Sequence, residues 1–144
     1  MNIVGEWWNE LGSKMVIAKQ GPNLRLFHGT YHTAVGTAQQ RNYDLVGSCD
    51  VEGGARQSLG WTVAFDPPDP PKPGDPPNKP STCGFSGQLQ TLCDDSGDVE
   101  YIATTLILTT ATDRKDNWKS TWVGRDYFFR MKPTAAMIGK AVLP

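Results

Sequence analysis

Two hydrogen-bonding side chains, near opposite ends of the chain, fall where a strand pattern places them among apolar residues. The two-residue period of a β-strand puts Asn9 on the same face as Trp7 and Leu11, and it puts Asp126 on the same face as Phe128. If these faces point into a core, an amide and a carboxylate are buried there. A polar group buried without a partner costs on the order of 2–7 kcal/mol in an apolar medium.

Tyr31 and Thr33 repeat this pattern in another strand-like segment, where they share a face with Phe27. The inward-pointing polar residues must satisfy one another, hold water, or await a polar ligand. Composition alone gives these alternatives comparable weight.

The cysteines and histidines do not form a metal-binding pattern. Cys49, Cys83 and Cys93 match no metal spacing and contain no C-x-x-C pair. His28 and His32 share a face of a strand, but no carboxylate or thiol follows them at ligand spacing, and a metal site needs three or four convergent ligands. We therefore expect solvated histidines and no metal. Because Cys83 has inward parity, Cys49 and Cys93 are the more plausible disulfide pair.

Three residues could be imagined as an enzyme's acid, base and nucleophile, namely Tyr31, Asp126 and Cys83. A cysteine nucleophile needs a base within reach of its thiol, and neither histidine has the parity of an interior residue. The sequence therefore does not predict an enzyme, and we expect no cofactor.

Charge and hydropathy exclude several classes of partner. The chain carries 14 basic and 15 acidic residues without a long run of either sign, so we expect no nucleic acid and no membrane surface as partner. No apolar stretch approaches the roughly 20 residues of a membrane-spanning helix. The first ten residues lack the basic head and apolar centre of a signal peptide, so we expect a protein that is either intracellular or secreted with its leader already removed.

Short strand-like runs separated by turn residues make up most of the chain, and no internal helix is expected. Regular strands with short connections are typical of an all-β sandwich or barrel. Hairpin-sized connections favour an eight-stranded antiparallel up-and-down β-barrel over residues 1–133. The predicted strands are 5–11, 13–19, 24–33, 42–50, 58–65, 83–92, 99–110 and 120–131.

Two segments depart from the strand pattern. Residues 66–82 hold eight of the eleven prolines, which predicts a stiff, extended loop that is either a spacer or a lid over a barrel mouth. The tail, residues 134–144, has apolar residues at helical spacing and is either one short docked helix or a frayed end.

Five motifs, in this order along the chain, resemble the avidin–streptavidin family. They are G-E-W-W-N-E-L-G-S at 5–13, G-T-Y-H-T-A-V-G at 29–36, L-G-W-T-V-A-F at 59–65, F-S-G-Q at 85–88 and N-W-K-S-T-W-V-G-R-D at 117–126. The resemblance spans residues 3–133 and is closest to the fungal, tamavidin-type members. It implies a barrel that holds biotin without covalent chemistry, with sequestration of the vitamin or defence as the biological role.

The resemblance also gives the polar residues roles toward the ligand. It implies that Asn9, Ser13 and Tyr31 donate hydrogen bonds to the ureido oxygen of biotin. Thr33 and Asp126 would accept from the two ureido N–H groups, with Asp126 also bonded to Asn9.

The remaining contacts implied by the resemblance concern the ligand's tail and the walls. The carboxylate would meet Gly36, Thr37 and Ser81. The tryptophan at Trp118 would reach the site of a neighbouring subunit, which implies a homotetramer. The resemblance implies apolar walls made of Leu11, Val35, Phe65, Phe85, Leu106, Leu108 and Trp118. It also implies that the subunit interface includes the outward-facing residues Ile107, Val123 and Arg125.

Four positions depart from the family's usual residues. Phe65 and Leu106 stand where tryptophan is usual, Cys83 replaces a hydroxyl residue near the ligand's sulfur, and Trp122 adds an indole that could partly rebuild the wall. We therefore expect biotin binding that is weakened but not abolished. The alternative is a carrier of a different small cyclic ligand, in a pocket reshaped by Leu106 and Cys83.

Overall fold

The protein is described by a computed structural model that covers residues 2–21, 25–35, 41–50, 57–66, 79–94 and 97–142. Each strand pairs antiparallel with the next, and the last pairs with the first, which gives a closed eight-stranded barrel. This confirms the predicted fold class. The strands are β1 Gly5–Asn9, β2 Lys14–Gln20, β3 Leu26–His32, β4 Asn42–Cys49, β5 Gln57–Phe65, β6 Ser81–Asp94, β7 Gly97–Thr110 and β8 Thr121–Phe129.

Buried and exposed side chains alternate along the strands as the sequence predicts, and the buried ones fill the barrel. Asn9, Tyr31, Thr33 and Asp126 are all buried, within a core built from the inward-facing apolar residues of the strands. Leu11 does not continue the β1 face as predicted, because β1 ends at Asn9 and the chain turns through Gly12 at a φ of +86°. Leu11 is consequently half exposed.

Helical structure lies outside the barrel wall. A 3₁₀-helix at Arg114–Lys119 connects β7 to β8, so the expectation of no internal helix was wrong. The tail forms the helix α1, Ala135–Val142, rather than a frayed end, although none of the residues of this helix is buried. Among the described residues, no helix is long and apolar enough to cross a membrane.

The predicted proline-rich loop ends earlier than expected. Ser81 is the first residue of β6 and pairs with both Phe65 and Thr110. Ser81 and Thr82 therefore belong to the barrel wall and not to the loop. Residues 67–78 lie outside the described residues, so neither the spacer nor the lid is tested.

The expected Cys49–Cys93 disulfide was wrong. Cys49 pairs with Leu59, Leu59 pairs with Gly87, and Cys93 lies six residues beyond Gly87 on β6. Six residues of strand span roughly 20 Å, whereas a disulfide needs Cα atoms within about 7 Å. None of the cysteines, including Cys83, is in a disulfide.

The two histidines differ in their exposure to solvent. His28 is exposed and His32 is half-buried. Within the described parts of the chain, no cluster of three or more histidine, cysteine or acidic side chains could hold a metal ion.

One end of the barrel is closed by the residues that precede β1. Ile3 is fully buried, and its carbonyl oxygen accepts a hydrogen bond from Trp7 Nε1 at 2.9 Å. The guanidinium carbon of Arg130 lies 3.7 Å from the centre of the Trp7 ring, and Arg130 Nη1 donates to the Val4 carbonyl oxygen at 2.9 Å. This closed base leaves the opposite end as the place for a ligand site.

Candidate functional site

A cavity of about 390 Å³ lies at the end of the barrel opposite the closed base. Its volume falls within the range of small-molecule sites. Polar residues from β1, β3 and β8 meet apolar residues from β5, β6 and β7. The lining consists of Asn9, Leu11, Ser13, Tyr31, Thr33, Val35, Phe65, Lys79, Ser81, Cys83, Phe85, Leu106, Leu108, Thr110, Trp122 and Asp126.

Asn9 is held so that only its amino group is available to the cavity. Its Oδ1 accepts hydrogen bonds from the backbone N–H groups of Leu11, at 3.1 Å, and Ser13, at 2.7 Å. Its Nδ2 donates one hydrogen bond to Asp126 Oδ2 at 3.0 Å. Because an amide nitrogen carries two hydrogens, Asn9 keeps one donor for a ligand.

The hydroxyl groups of Thr33 and Ser13 are oriented in opposite senses. Thr33 Oγ1 donates to the Val35 carbonyl oxygen at 2.9 Å and accepts a longer hydrogen bond from the Val35 N–H at 3.4 Å, which leaves one lone pair as an acceptor for a ligand. Ser13 Oγ accepts from the Ala34 N–H at 3.1 Å, so its own proton remains free to be donated. Neighbouring backbone groups thereby assign an accepting role to Thr33 and a donating role to Ser13.

Tyr31 supplies a third donor. Its hydroxyl is hydrogen bonded to Ser13, and burial together with the nearby Asp126 carboxylate raises the pKa of Tyr31 above its ordinary value. The phenol is therefore protonated throughout the physiological range. Since hydroxyl groups rotate, Ser13 and Tyr31 can both turn toward a ligand oxygen.

Asp126 is the acidic group of the cavity. Burial raises its pKa to about 6, the Asn9 hydrogen bond opposes this rise, and the like charge of Glu10 adds to it. At neutral pH the carboxylate is ionised, buried, and an acceptor only. A ligand that donates N–H groups would supply what this carboxylate lacks.

Cys83 lies in the same cavity but is poorly suited to covalent chemistry. Burial, and then the charge of Asp126, raises the pKa of the Cys83 thiol to about 12. A thiol with this pKa is neutral near pH 7, and the thiolate is the nucleophilic form. Cys83 is therefore a soft apolar contact at this position.

Aromatic rings pack against Tyr31, one of the polar residues of the cavity. Trp61 stacks on Phe85 with ring centres 4.9 Å apart, and Phe85 lies 5.7 Å from the ring centre of Tyr31. Phe128 meets the Trp61 ring edge-on at 5.6 Å. This packing fixes the ring of Tyr31, and with it the position of its hydroxyl group.

The mouth of the cavity is more exposed and contains a positive charge. Lys79 immediately precedes Pro80, whose carbonyl oxygen accepts a hydrogen bond from the Ala111 N–H at 2.8 Å, and this bond holds the segment against the end of β7. Ser81 and Thr110 line the rim beside it. These groups could hold the anionic end of a ligand whose head is at the buried polar set.

Several predicted site residues lie elsewhere or are more exposed than expected. Gly36 and Thr37 lie outside the described residues. Trp118 is on the 3₁₀-helix, is 81% exposed, and does not line the cavity of its own chain. Trp122 lines the mouth and is 59% exposed.

Glu10, Lys79 and Thr110 were missed by the sequence analysis. Lys79 lies within the proline-rich segment, where no strand pattern indicates a direction for its side chain. Thr110 could have been found, because it has the inward parity of Leu106 and Leu108.

A larger depression of about 610 Å³ lies on the outside of the barrel wall. It is shallow, and its lining carries no ionisable side chain and includes the outward-facing Val46, Thr62, Gly84 and Ile107. A surface of this composition suits contact with another protein surface better than a small polar ligand.

The family model for the avidin family matches residues 1–131 of the chain. The match includes all eight strands and every residue that lines the cavity.

Proposed function

The chain belongs to the avidin family, and from this membership and the chemistry of the cavity we propose that it binds biotin non-covalently inside the barrel. Avidins are binding proteins rather than enzymes. The head of biotin is a cyclic urea, with one carbonyl oxygen that accepts hydrogen bonds and two N–H groups that donate them.

The observation that carries the proposal is the division of the buried polar groups into donors and acceptors. Asn9, Ser13 and Tyr31 each offer a hydrogen, whereas Thr33 and Asp126 each offer lone pairs. Three donors suit a polarised ureido oxygen, as in an oxyanion hole, and two acceptors suit the two N–H groups. The oxygens of Asn9 and Ser13 already accept backbone hydrogen bonds, which leaves these side chains to donate, and rotation of the Ser13 and Tyr31 hydroxyl groups away from each other frees both of their hydrogens.

The apolar walls and the mouth fit the rest of the ligand. Phe85, Leu106 and Leu108 form an apolar wall suited to the bicyclic ring. Biotin carries a pentanoate tail that leads away from the urea, so its carboxylate would reach the rim at Lys79 and Ser81. Leu106 and Phe65 provide less flat contact area than tryptophan, so we expect weaker binding than in members with tryptophan there.

Titration with biotin tests the proposal directly. We expect one biotin per chain, quenching of tryptophan fluorescence, and a rise in melting temperature that grows with ligand concentration. The matched control is a biotin analogue methylated on its ureido nitrogens, which keeps the ring and the tail but cannot donate to Thr33 and Asp126. The absence of heat, quenching and melting shift at millimolar biotin would refute biotin as the ligand.

A different small cyclic ligand is the second candidate. The observation that favours it is that a buried thiol, Cys83, and an aliphatic side chain, Leu106, line the same cavity, where the family pattern has a hydroxyl group and a tryptophan. The same titration, repeated with cyclic ureas that lack the thioether ring, separates the two candidates: tighter binding of such a urea than of biotin favours the second.

We also propose that the chain assembles into a homotetramer in which Trp118 contributes to a neighbouring site. Support comes from the 81% exposure of Trp118 and from exposed Ile107 and Val123 on the outer wall. Their burial in an assembly would remove apolar surface from water. Light scattering that gives the mass of one chain would contradict this assembly.

The biological role that we propose is sequestration of the vitamin. The role rests on the proposed binding of biotin without turnover, and it predicts that the purified protein arrests growth of a biotin-requiring microorganism. Growth should return when biotin is added in excess over binding sites, and growth unaffected by the protein would refute the role.

A further inference from the structure

The side chain of Glu10 continues the β1–β8 pairing at the point where the backbone of β1 has turned away. The last ladder pair joins Asn9 to Phe128, so the next pair in this antiparallel register would join Glu10 to Tyr127. There the strand has ended, and Glu10 Oε2 accepts a hydrogen bond from the Tyr127 N–H at 2.9 Å. A side-chain carboxylate thus takes the place of a backbone carbonyl.

Two adjacent residues of β1 and its turn therefore hold two adjacent residues of β8. Asn9 binds the carboxylate of Asp126 inside the barrel, and Glu10 binds the backbone of Tyr127 next to it. The β1–β8 seam has only two ladder pairs among the described residues, fewer than any other seam. The β7–β8 ladder, in which Thr104 pairs with Asp126, holds Asp126 on one side, and on the β1 side these side-chain bonds take the place of the ladder.

We propose that Glu10 is a positioning residue of the binding site, which holds β8 against β1 so that Asp126 faces the ligand, and whose negative charge raises the pH below which the ligand is released. The part of the inference that concerns release rests on the proposed function. The ligand class is one whose N–H groups donate to a carboxylate.

Glu10 is the charged side chain whose electrostatic interaction affects the pKa of Asp126. Among the described residues, the titratable side chains that interact with Asp126 are Glu10, Tyr31 and Cys83. Tyr31 and Cys83 are neutral near pH 6 because burial raises the pKa of each. Lys79 lines the same cavity, but it lies at the rim, beyond the end of β7.

The other neighbours of Asp126 are uncharged or point elsewhere. Thr104 on β7 donates its hydroxyl to the backbone oxygen of Asp126 at 2.9 Å. Arg125, the preceding residue on β8, is exposed on the outer face. The like charge of Glu10 therefore raises the pKa of Asp126 in addition to the larger effect of burial.

Two substitutions separate the hydrogen bond from the charge. Glu10→Gln keeps an oxygen that can accept from the Tyr127 N–H but removes the charge, whereas Glu10→Ala removes both. Glu6→Gln is the matched control, because Glu6 is an exposed carboxylate on β1, the strand that precedes Glu10, and it binds Lys14 and does not line the cavity.

The first measurement needs no ligand. The pKa of Asp126 is followed by NMR of its carboxyl carbon in the wild type, Glu10→Gln and Glu6→Gln. We expect the Glu10→Gln pKa to fall by about half a unit or more, and the Glu6→Gln pKa to equal that of the wild type. An Asp126 pKa that is unchanged in Glu10→Gln overturns the charge part of the inference.

The second measurement is the dissociation constant of biotin from about pH 4.5 to about pH 8. We expect Glu10→Gln to match the wild type within about twofold at high pH and to retain biotin to lower pH, since Asp126 stays ionised there. Glu10→Ala should lose about tenfold in affinity at high pH, because the Tyr127 N–H loses its acceptor and the part of β8 that carries Asp126 is no longer held to β1 by this bond.

These outcomes separate the inference from the proposed function. If Glu10→Ala binds biotin as tightly as the wild type at high pH, Glu10 does not position the site. If the wild type fails to bind biotin at every pH, biotin is not the ligand, and the NMR titration still decides whether the charge of Glu10 acts on Asp126.

Discussion

The amide nitrogen of Asn9 lies 3.0 Å from Asp126 Oδ2, across the seam where β1 and β8 close the barrel. This side-chain hydrogen bond stabilises an ionised carboxylate much less than full hydration would. Burial accordingly raises the pKa of Asp126 to about 6. The ligand-free site is thus electrostatically unfavourable at neutral pH. A ligand that donates N–H groups relieves this cost as it binds.

Ionisation of Asp126 should destabilise the ligand-free protein. Its pKa is about 6 in the folded chain against an ordinary value of 3.8, so between these values the native state binds more protons than the unfolded chain. Stability from this group is fully present below about pH 4 and is lost as pH rises through about 6, by at most about 3 kcal/mol. Urea unfolding of the wild type and Asp126→Asn at both ends of this range measures the effect. A stability difference between the two proteins that does not change with pH would contradict it.

Thr33→Val should weaken biotin binding by about tenfold, because it removes one hydrogen-bond acceptor while keeping the side-chain volume. The Val35 carbonyl oxygen loses its Thr33 partner but is only partly buried and can bind water. The free energy of unfolding should therefore change less than the free energy of binding. Thr62→Val, on the exposed face of β5, is the control. Equal biotin affinity in Thr33→Val and the wild type would remove Thr33 from the site.

Lys79→Met should lower the affinity for free biotin by about two- to fivefold, the size expected for an exposed ion pair. The loss should shrink as salt is added. The affinity for biotin amide, which has no carboxylate, should stay the same. Lys132→Met, an exposed lysine away from the cavity, serves as the control in calorimetry. A parallel loss for the acid and the amide would show that Lys79 does not contact the carboxylate.

Trp118→Ala should change the free energy of unfolding by no more than about 0.5 kcal/mol, the usual range for an exposed side chain. If Trp118 completes a neighbouring site, the variant should release biotin about tenfold faster in the assembled protein. Trp118→Phe should lie between the two. The measurement is the rate at which bound biotin dissociates during a chase with excess biotin. A rate in Trp118→Ala equal to that of the wild type would show that Trp118 is not part of any binding site.

Much of the barrel and of its interior polar set could be predicted from the sequence, because a strand has a fixed two-residue period. Asn9, Tyr31, Thr33 and Asp126 were placed inside by parity, and all four are buried. Parity did not predict their division into donors and acceptors, which only the resemblance to the family implied. This division depends on bonds such as Ser13 Oγ to the Ala34 N–H, which join residues far apart in sequence.

The wrong predictions concern two kinds of residue. Some lie on strands that are separated by a third strand, and others lie in segments without a strand pattern. The parity that places Cys49 and Cys93 says nothing of their separation, which depends on the register of β4, β5 and β6. The 3₁₀-helix at Arg114–Lys119 is one short polar stretch without apolar periodicity. Glu10 was missed because its role is to replace a backbone group, for which no residue pattern exists.

The closed base formed by Ile3, Trp7 and Arg130 has a practical consequence. The residues before β1 and the end of β8 leave the barrel on this side, whereas Phe65 at the end of β5 and Ser81 at the start of β6 line the cavity at the opposite end. A fusion partner or a solid support attached before residue 2 should therefore leave the entrance unobstructed, whereas a tag inserted between β5 and β6 should hinder the exchange of ligand.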